Sequence, residues 1–332
     1  MAEVAVLGAS GYAGALTAQL LWRHPFFELV AVTSRSDAGR RLDEVHPRYR
    51  VPLVLEELDL ERLAGRVDAA VVAYPHGASA PVVKNLRALQ VRVIDLSADF
   101  RLRDPGMYEE HYGEHQAPEL VGEAVYGLPE LYRESVCHAD LVAGPGCYPT
   151  AALLALAPLA RGGLLADAII DAKSGVSGAG REPSHATHFV SADENMNPYK
   201  VASHRHAPEI DQELAQLGAP VAATFTPHLI PLDQGELVSC YVSPSEDVGD
   251  GELQALYRDA YAGENFVEVR ERPPGVREVR DTNICRISVH TDARTAKVLV
   301  FAAIDNLWKG TASQAVQNLN LMFGRPEGEG IS

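Results

Sequence analysis

The chain has 332 residues, 46% of them hydrophobic and 22% charged, which is the profile of an ordinary folded protein with one large or two medium domains. Its net charge of −16 argues against nonspecific nucleic-acid binding, which needs a basic surface, but leaves room for a local arginine pocket that takes a small anion. The start Met1-Ala2-Glu3-Val4 has no basic segment, the longest apolar run (Ala151 to Ala160) is too short for a bilayer, and the four cysteines form no CxxC pair; a cytoplasmic protein without leader, membrane span, metal site or disulfide scaffold is expected.

Val4 to Leu7 reads as a short apolar strand. Gly8-Ala9-Ser10-Gly11-Tyr12-Ala13-Gly14 leads from it into a helix-like run from Ala15 to Arg23, and Leu29 to Thr33 is the next strand. The glycine spacing is GxxGxxG, a variant of the dinucleotide fingerprint GxGxxG. The physics is shared: glycines let the backbone approach a pyrophosphate, and the helix N-terminus binds its charge. Strand–helix packing alone is the alternative reason for glycine here. The second strand ends on Thr33-Ser34-Arg35-Ser36, which suits a 2′-phosphate and favours NADP. Asp37 keeps NAD open, because NAD binders carry an acid near that edge. Arg40 and Arg41 are further phosphate partners or a solvated basic patch.

Further strands are predicted at Ala69 to Ala73, Val91 to Asp95 and Leu141 to Ala143, with a helix at Ala78 to Leu89. The alternation implies a parallel sheet covered by helices on both faces. Loops at the C-terminal ends of such strands form sites. Pro75 and His76 are therefore expected to line the cofactor cleft, and Arg101 is a candidate for a substrate phosphate or carboxylate. Asp99 is alternatively its structural ion-pair partner.

Gly144-Pro145-Gly146-Cys147-Tyr148-Pro149-Thr150 then places a thiol on a tight turn between a strand and a buried helix, predicted at Ala151 to Ala160. Free N–H groups and the positive dipole end at a helix N-terminus favour a thiolate, which is the nucleophilic form. A small buried residue in a turn is the plainer alternative. Cys240 and Cys285 lie in alternating apolar runs and read as core.

Beyond Cys147 the pattern changes to long alternating runs: Ala168 to Lys173, Val221 to Pro227, Glu236 to Ser243, Ile284 to His290 and Lys297 to Ala303. Helical stretches are read at Glu209 to Leu217 and Glu252 to Tyr261, and a last helix at Thr311 to Phe323. A mixed or antiparallel sheet with helices on one face is expected. The Gly-rich loop Lys173 to Arg181 is built to approach a ligand or is a plain turn. His204-Arg205-His206-Ala207-Pro208-Glu209 concentrates titratable groups. Glu209, three residues beyond His206, can share its helix face and orient it as a general acid/base.

A dinucleotide site, a poised cysteine and a His/Glu pair together fit one chemistry best. An acyl group passes to the thiol, and a hydride then moves to or from the thioester. The segments GASGYAG (from Gly8), DLSADFRL (from Asp95), YGLPE (from Tyr126), GPGCYPTA (from Gly144), KSGVSGAGR (from Lys173), HRHAPEI (from His204), TPHLIP (from Thr226) and AIDNLWKGTASQAVQNLNLMFG (from Ala303) run through nearly the whole chain. In them the sequence resembles the N-acetyl-γ-glutamyl-phosphate reductase family of arginine biosynthesis.

The resemblance implies a semialdehyde dehydrogenase-like α/β fold. Residues 1–146 and 307–332 would form a Rossmann-type domain with a returning C-terminal helix, and residues 147–306 an α+β catalytic and dimerisation domain. It implies Cys147 as the thioacyl nucleophile, and His206 with Glu209 as the acid/base, with His204 close by. Cofactor contacts would fall at Gly8, Ser10, Gly11, Tyr12, Gly14, Ser34, Arg35, Pro75, His76, Ser177, Gly178 and Asn306. Substrate contacts would fall at Arg101, Ser174, Arg181 and Arg205. NADPH is the implied cofactor, a small acyl phosphate the substrate, and a homodimer or homotetramer the assembly. The segment before His204 is short for the family, which leaves the role of Tyr199 open. Three other readings are a sister reductase acting on a carrier-bound acyl phosphate, an aspartate-semialdehyde dehydrogenase, and a nucleotide sensor that has lost catalysis.

Overall fold

Residues 1–331 are described by a computed structural model, and they divide into two compact units. One comprises Met1–Gly146 with the segment from Thr311 onward, the other Cys147–Gly310.

The first unit follows the predicted alternation. Its strands are β1 (Ala2–Leu7), β2 (Phe27–Thr33), β3 (Leu55–Glu56), β4 (Ala69–Val72), β5 (Arg92–Asp95), β6 (Val125–Tyr126) and β7 (Leu141–Ala143). They form one sheet in the order β3-β2-β1-β4-β5-β7-β6, and all pairs are parallel. Val4 to Leu7 and all of β4 are fully buried, as strands covered on both faces must be. The helices are α1 (Tyr12–Trp22), α2 (Leu42–Val45), α3 (Leu60–Ala64), α4 (Ala80–Ala88), α5 (Pro105–Tyr112) and α6 (Pro129–Cys137). The strand order reverses between β1 and β4, so the crevice at the end of β1 is where a ligand belongs in such a sheet. The two-residue strands β3 and β6 escape a sequence reading because they carry no period.

The second unit contains α7 (Cys147–Arg161), β8 (Leu165–Gly175), α8 (Phe189–Ala192), β9 (Asn197–Pro198), α9 (Ala207–Gln216), β10 (Thr224–Ile230), β11 (Glu236–Pro244), α10 (Asp250–Ala260), β12 (Val267–Val269), β13 (Cys285–Asp292) and β14 (Lys297–Ile304). The sheet order is β12-β13-β14-β11-β8-β10-β9. It is mixed: β8/β10 and β12/β13 are parallel, and the other pairs antiparallel. Every residue from Tyr148 to Ala160 is buried, so α7 is apolar all round, as a central helix is. It packs on β8, β11, β13 and β14, with α9 and α10 against it. Burial of Leu153, Leu154, Leu156 and Leu159 contributes roughly 1.5–3 kcal/mol each. Tyr257 and Tyr261 donate their hydroxyls to the α7 carbonyls of Ala155 and Leu154.

Strand alternation sorts the side chains. Glu236, Val238, Cys240 and Val242 of β11 are buried. On the opposite parity Tyr241 is in register with Ile169 of β8 and Leu299 of β14, and all three are partly exposed or exposed. The final helix, α11 (Ser313–Met322), belongs to the first unit and packs on α1, α6 and β5. Asn318 Nδ2 donates to Gly127 O at 2.9 Å and Gln317 Nε2 to Glu130 Oε1 at 3.0 Å, so its polar side chains are buried in hydrogen bonds. None of the helices among the described residues is long and apolar enough to cross a membrane.

Candidate active site

The glycine turn separates packing from ligand approach. Gly8 has φ +83°, and a Cβ there would lie 2.5 Å from Ala73 O; a Cβ on Gly14 would lie 2.4 Å from Gly8 O. Those two are glycine because strand and helix leave no room. Gly11 is different: its Cβ would meet only Gly8 O, at an ordinary 3.6 Å. The fold itself has no need of glycine at this position, and it faces space that a ligand can use. Gly11 is the N-cap of α1, with no side-chain cap and no acid in the first turn. The first intrahelical bond runs from Ala15 N to Gly11 O at 2.9 Å and Gly11 N is held by Gly8 O at 3.2 Å, so the N–H groups of the first helical turn, Tyr12 to Gly14, are the ones placed to meet an anion.

At the end of β2, Ser34 Oγ lies 2.8 Å from Ser10 Oγ and accepts from Asp37 N at 3.1 Å. This ties the glycine turn to the β2 edge. Arg35 is exposed. The Asp37 carboxylate is turned into its own loop, where it accepts from Ser36 Oγ and Arg40 Nη1, both at 2.9 Å. Tyr12 packs edge-on to His46, which bonds Ser10 O at 2.8 Å. The residues present therefore fit a dinucleotide carrying a 2′-phosphate: a backbone cradle, a free helix N-terminus and an unburied arginine.

After β4 and β5 the loops are stiffened by side chains. His76 Nδ1 accepts from Ala98 N at 3.0 Å while Pro75 and His76 stay exposed. Asp99 accepts from Gly77 N, Ala80 N and the Tyr108 hydroxyl, at 2.7 to 2.9 Å, and so caps α4. Arg101 is 6% exposed and donates Nε to Gly144 O at 2.7 Å and Nη2 to Leu96 O at 2.9 Å. Much of its donor capacity thus holds the ends of β5 and β7 together.

In the second unit the predicted helix start moves. α7 opens at Cys147 itself and not at Ala151, because Pro149 sits in the first turn, where a missing N–H costs nothing. The thiol is half-buried at the helix N-terminus. Its Cβ abuts the turn after β14: a Cβ on Gly310 would lie 2.8 Å from Cys147 Cβ.

Tyr148 carries the histidine cluster. Its ring packs edge-on against His204 (5.8 Å), His206 (5.9 Å) and Phe225 (5.4 Å). Its hydroxyl donates to His228 O and accepts from Tyr199, each at 3.3 Å. Tyr199 also packs edge-on to His204 at 5.4 Å. Tyr148 and Tyr199 are residues a motif reading undervalues, because aromatic rings in a core are common. Burial pushes both phenols far up, so they act as hydroxyls.

His204 Nδ1 accepts from His206 N at 3.1 Å, so the neutral ring carries its proton on Nε2. Burial first, then Lys200 and Arg205, push His204 down to about 4; it is neutral at physiological pH. His206 is the N-cap of α9, and Glu209 lies 1% exposed in the first turn of that helix. Arg181 and Arg205 are exposed.

The Gly-rich loop is built around Asn306, which is buried. Its Oδ1 accepts from Gly235 N at 2.7 Å and its Nδ2 donates to Ser177 Oγ at 3.0 Å. Ser174 is buried too; a Cβ on Gly178 would lie 2.8 Å from its Oγ. The described residues contain no cluster of three or more His, Cys, Asp or Glu that could hold a metal ion.

One residue that the sequence reading took only as the start of a strand lies near Tyr148 and Cys147: Glu236, the first residue of β11, fully buried. The signal was its parity, a carboxyl in phase with the inward Val238, Cys240 and Val242.

Comparison with known proteins agrees with this architecture. Residues 3–139 match the family model described as semialdehyde dehydrogenase, NAD binding domain, and residues 147–306 the one described as semialdehyde dehydrogenase, dimerisation domain. The chain is 49% identical to an N-acetyl-gamma-glutamyl-phosphate reductase of Rubrobacter xylanophilus, covering 99% of this chain and 98% of that one. It is 48% identical to the protein of the same name from Moorella thermoacetica, with coverage of 98% and 97%. Among solved structures, aspartate semialdehyde dehydrogenase II of Vibrio cholerae, complexed with ASA, superposes with a TM-score of 0.74 at 18% identity over 98% of each chain. The Candida albicans aspartate semialdehyde dehydrogenase with NADP gives a TM-score of 0.74 at 14% identity over 97% and 98%. The chain belongs to the N-acetyl-gamma-glutamyl-phosphate reductase family, within the semialdehyde dehydrogenases.

Proposed function

We propose that this chain reduces N-acetyl-γ-glutamyl phosphate to N-acetylglutamate semialdehyde, with release of phosphate, through a thioester on Cys147. The observation that carries the reading is a half-buried thiol at the first position of α7, followed by a tyrosine whose ring contacts both histidines of the His204–His206 pair.

Each residue has a task. His206, oriented by Glu209, takes the thiol proton. The Cys147 sulfur then forms a bond to the acyl carbon, the carbon–oxygen bond to phosphate breaks, and phosphate leaves with the proton. Bound NADPH supplies the hydride that takes the thioester to the aldehyde level. The carbon–sulfur bond then breaks, its electrons return to sulfur, and the thiolate is reprotonated from solvent. His204, neutral and fixed by its bond from His206 N, holds the backbone of the base. Tyr148 and Tyr199 wall the site with hydroxyl groups.

Gly11 and the open α1 N-terminus would hold the pyrophosphate, and Ser34 with Arg35 the 2′-phosphate. The commitment of Asp37 to Arg40 and Ser36 supports NADP over NAD. Ser174, Arg181 and Arg205 would take the substrate's anionic groups. A second copy of the chain would cover the partly exposed row Ile169, Tyr241 and Leu299, giving a homodimer; the cytoplasm is the proposed location.

The test runs in reverse, because the acyl phosphate is unstable. Purified protein is mixed with N-acetylglutamate semialdehyde, phosphate and NADP, and NADPH absorbance is followed. Phosphate-dependent NADPH formation is expected. Activity only with aspartate semialdehyde or a carrier-bound aldehyde would overturn the substrate assignment.

A further inference from the structure

The geometry points to a further catalytic role for Glu236: its carboxyl group donates a hydrogen bond to the Cys147 sulfur, holding the negative charge there when the thiolate forms and again when it is expelled. The proposal deepens the reading above and rests on Cys147 being the nucleophile.

Three observations carry it. First, Glu236 is sealed, with zero exposure, and neither carboxyl oxygen finds a well-formed hydrogen bond. A buried polar group without a partner costs about 1–3 kcal/mol, more when charged, so such a group needs a reason. Second, its place is rigid. Glu236 is paired with Ser174 of β8 and Ile304 of β14. The preceding Gly235 has φ +123°, a Cβ there would lie 2.9 Å from Val276 Cβ, and its N–H is held by Asn306. Third, that place is beside the sulfur. Cys147 abuts the turn that leaves β14 at Asp305, and Cys147 and Asp305 are the side chains that act on the Glu236 carboxyl.

The groups that face Glu236 are Cys147, Asp305, Tyr148 and Tyr199. None is a cation. Burial first, and Asp305 in the same direction, push its carboxyl up to about 8, against the opposing pull of Cys147. At neutral pH it is an acid with one O–H to give. An O–H aimed at sulfur stabilises a thiolate; a carboxylate in the same place would oppose it by like-charge repulsion. The two acidic groups therefore share one negative charge, and the second ionisation is delayed. The thiol proton goes to His206, and the glutamic proton stays on Glu236.

The experiment is alkylation of Cys147 by iodoacetamide as a function of pH, read by peptide mass spectrometry so that the other three cysteines do not interfere. Wild type, Glu236→Leu and Glu236→Gln are compared as full-length proteins with matched circular dichroism. Glu236→Leu removes the donor, and its alkylation at neutral pH should slow by roughly tenfold, one pKa unit. Glu236→Gln keeps an N–H donor and cannot ionise. It should retain most of the reactivity and lose the alkaline second step. A Leu variant with the wild-type profile would overturn the proposal. If the Leu variant fails to fold, a Gln profile identical to wild type, second step included, overturns it instead. Failure of the underlying reading is separate: it shows as turnover surviving in Cys147→Ser, whatever the alkylation profiles do.

Discussion

The chain leaves β1 for α1 through Gly8–Gly11, and leaves β7 for α7 through Gly144–Gly146. The two turns have the same shape of problem and opposite solutions. At the first, side chains are stripped away so that backbone N–H groups at the helix N-terminus are left for a ligand. At the second, the helix opens on a side chain, and the same positive end favours the sulfur of Cys147. The surroundings differ accordingly. The glycine turn is lined by hydroxyls and an exposed arginine; the thiol turn is backed by a fully buried α7 and by titratable groups out of water. In the proposed function, binding chemistry sits where the backbone is bare, and bond-making chemistry where a side chain is desolvated.

The sharpest way to break this contrast is Cys147→Ser. A serine at the same helix start keeps the turn and loses the proposed nucleophile. Turnover should fall by roughly 10⁴-fold or more, while NADPH binding, measured by fluorescence titration, stays near wild type. Loss of both together would mean that Cys147 serves packing.

The glycine turn can be dissected residue by residue. Gly8→Ala and Gly14→Ala drive a methyl group into backbone, and Gly8→Ala adds a left-handed φ, so each should lower stability by about 2–4 kcal/mol in urea melts. Gly11→Ala has room and should cost only the loss of a glycine N-cap, about 0.5–1 kcal/mol. It should nevertheless weaken NADPH binding by roughly tenfold, or about 1.4 kcal/mol. Equal stability losses at all three positions would reduce the turn to strand–helix packing.

Much of this was legible in the sequence, and the reasons differ by region. β1, β2, β4, β5 and β7 announced themselves because parallel strands buried on both faces are continuous apolar runs. Gly8, Gly11 and Gly14 could be found as a set but not sorted, because spacing does not say which hypothetical Cβ meets a carbonyl. Cys147 was singled out by its flanking Gly and Pro, and the helix start was placed four residues late because Pro149 reads as a breaker until it is seen in the first turn. The pairing considered for Asp99 gave way to a helix cap, since its oxygens take Gly77 and Ala80 N–H groups. Glu236 was passed over because one acidic residue starting an alternating run looks like an exposed strand end. Its parity with Val238, Cys240 and Val242 was the available signal, and register with the buried Ser174 and Ile304 shows that it faces inward.

Desolvation at the thiol turn should also appear as two opposite pH limbs in stability. His204 binds a proton near 6.5 when unfolded but only near 4 when folded. The unfolded state takes protons first, so stability is lost as pH falls from about 6.5 to 4. Glu236 keeps its proton to about 8 when folded and loses it near 4.5 when unfolded, so stability is lost as pH rises from 4.5 to 8. Each limb has a slope of at most about 1.4 kcal/mol per pH unit. The two slopes offset each other from about pH 4.5 to 6.5 in wild type, so over that range urea midpoints should fall with rising pH in His204→Phe and climb in Glu236→Gln, which should also lose the decline from 6.5 to 8. Nothing comparable is expected from substitutions at the glycine turn.

The smallest expected effect lies at the open edge of β2. Arg35 is exposed and Asp37 is tied to Arg40 and Ser36, so the edge offers an exposed cation and an occupied carboxylate. An exposed charge-assisted contact to a 2′-phosphate is worth about 1 kcal/mol once water and salt have screened it. Arg35→Ala should therefore raise the KM for NADPH by roughly fivefold, leave kcat unchanged and leave the KM for NADH where it was. The loss should shrink as salt is added. An equal loss with both cofactors would place Arg35 on a group the two share, and the reading of this edge as a 2′-phosphate site would fall with it.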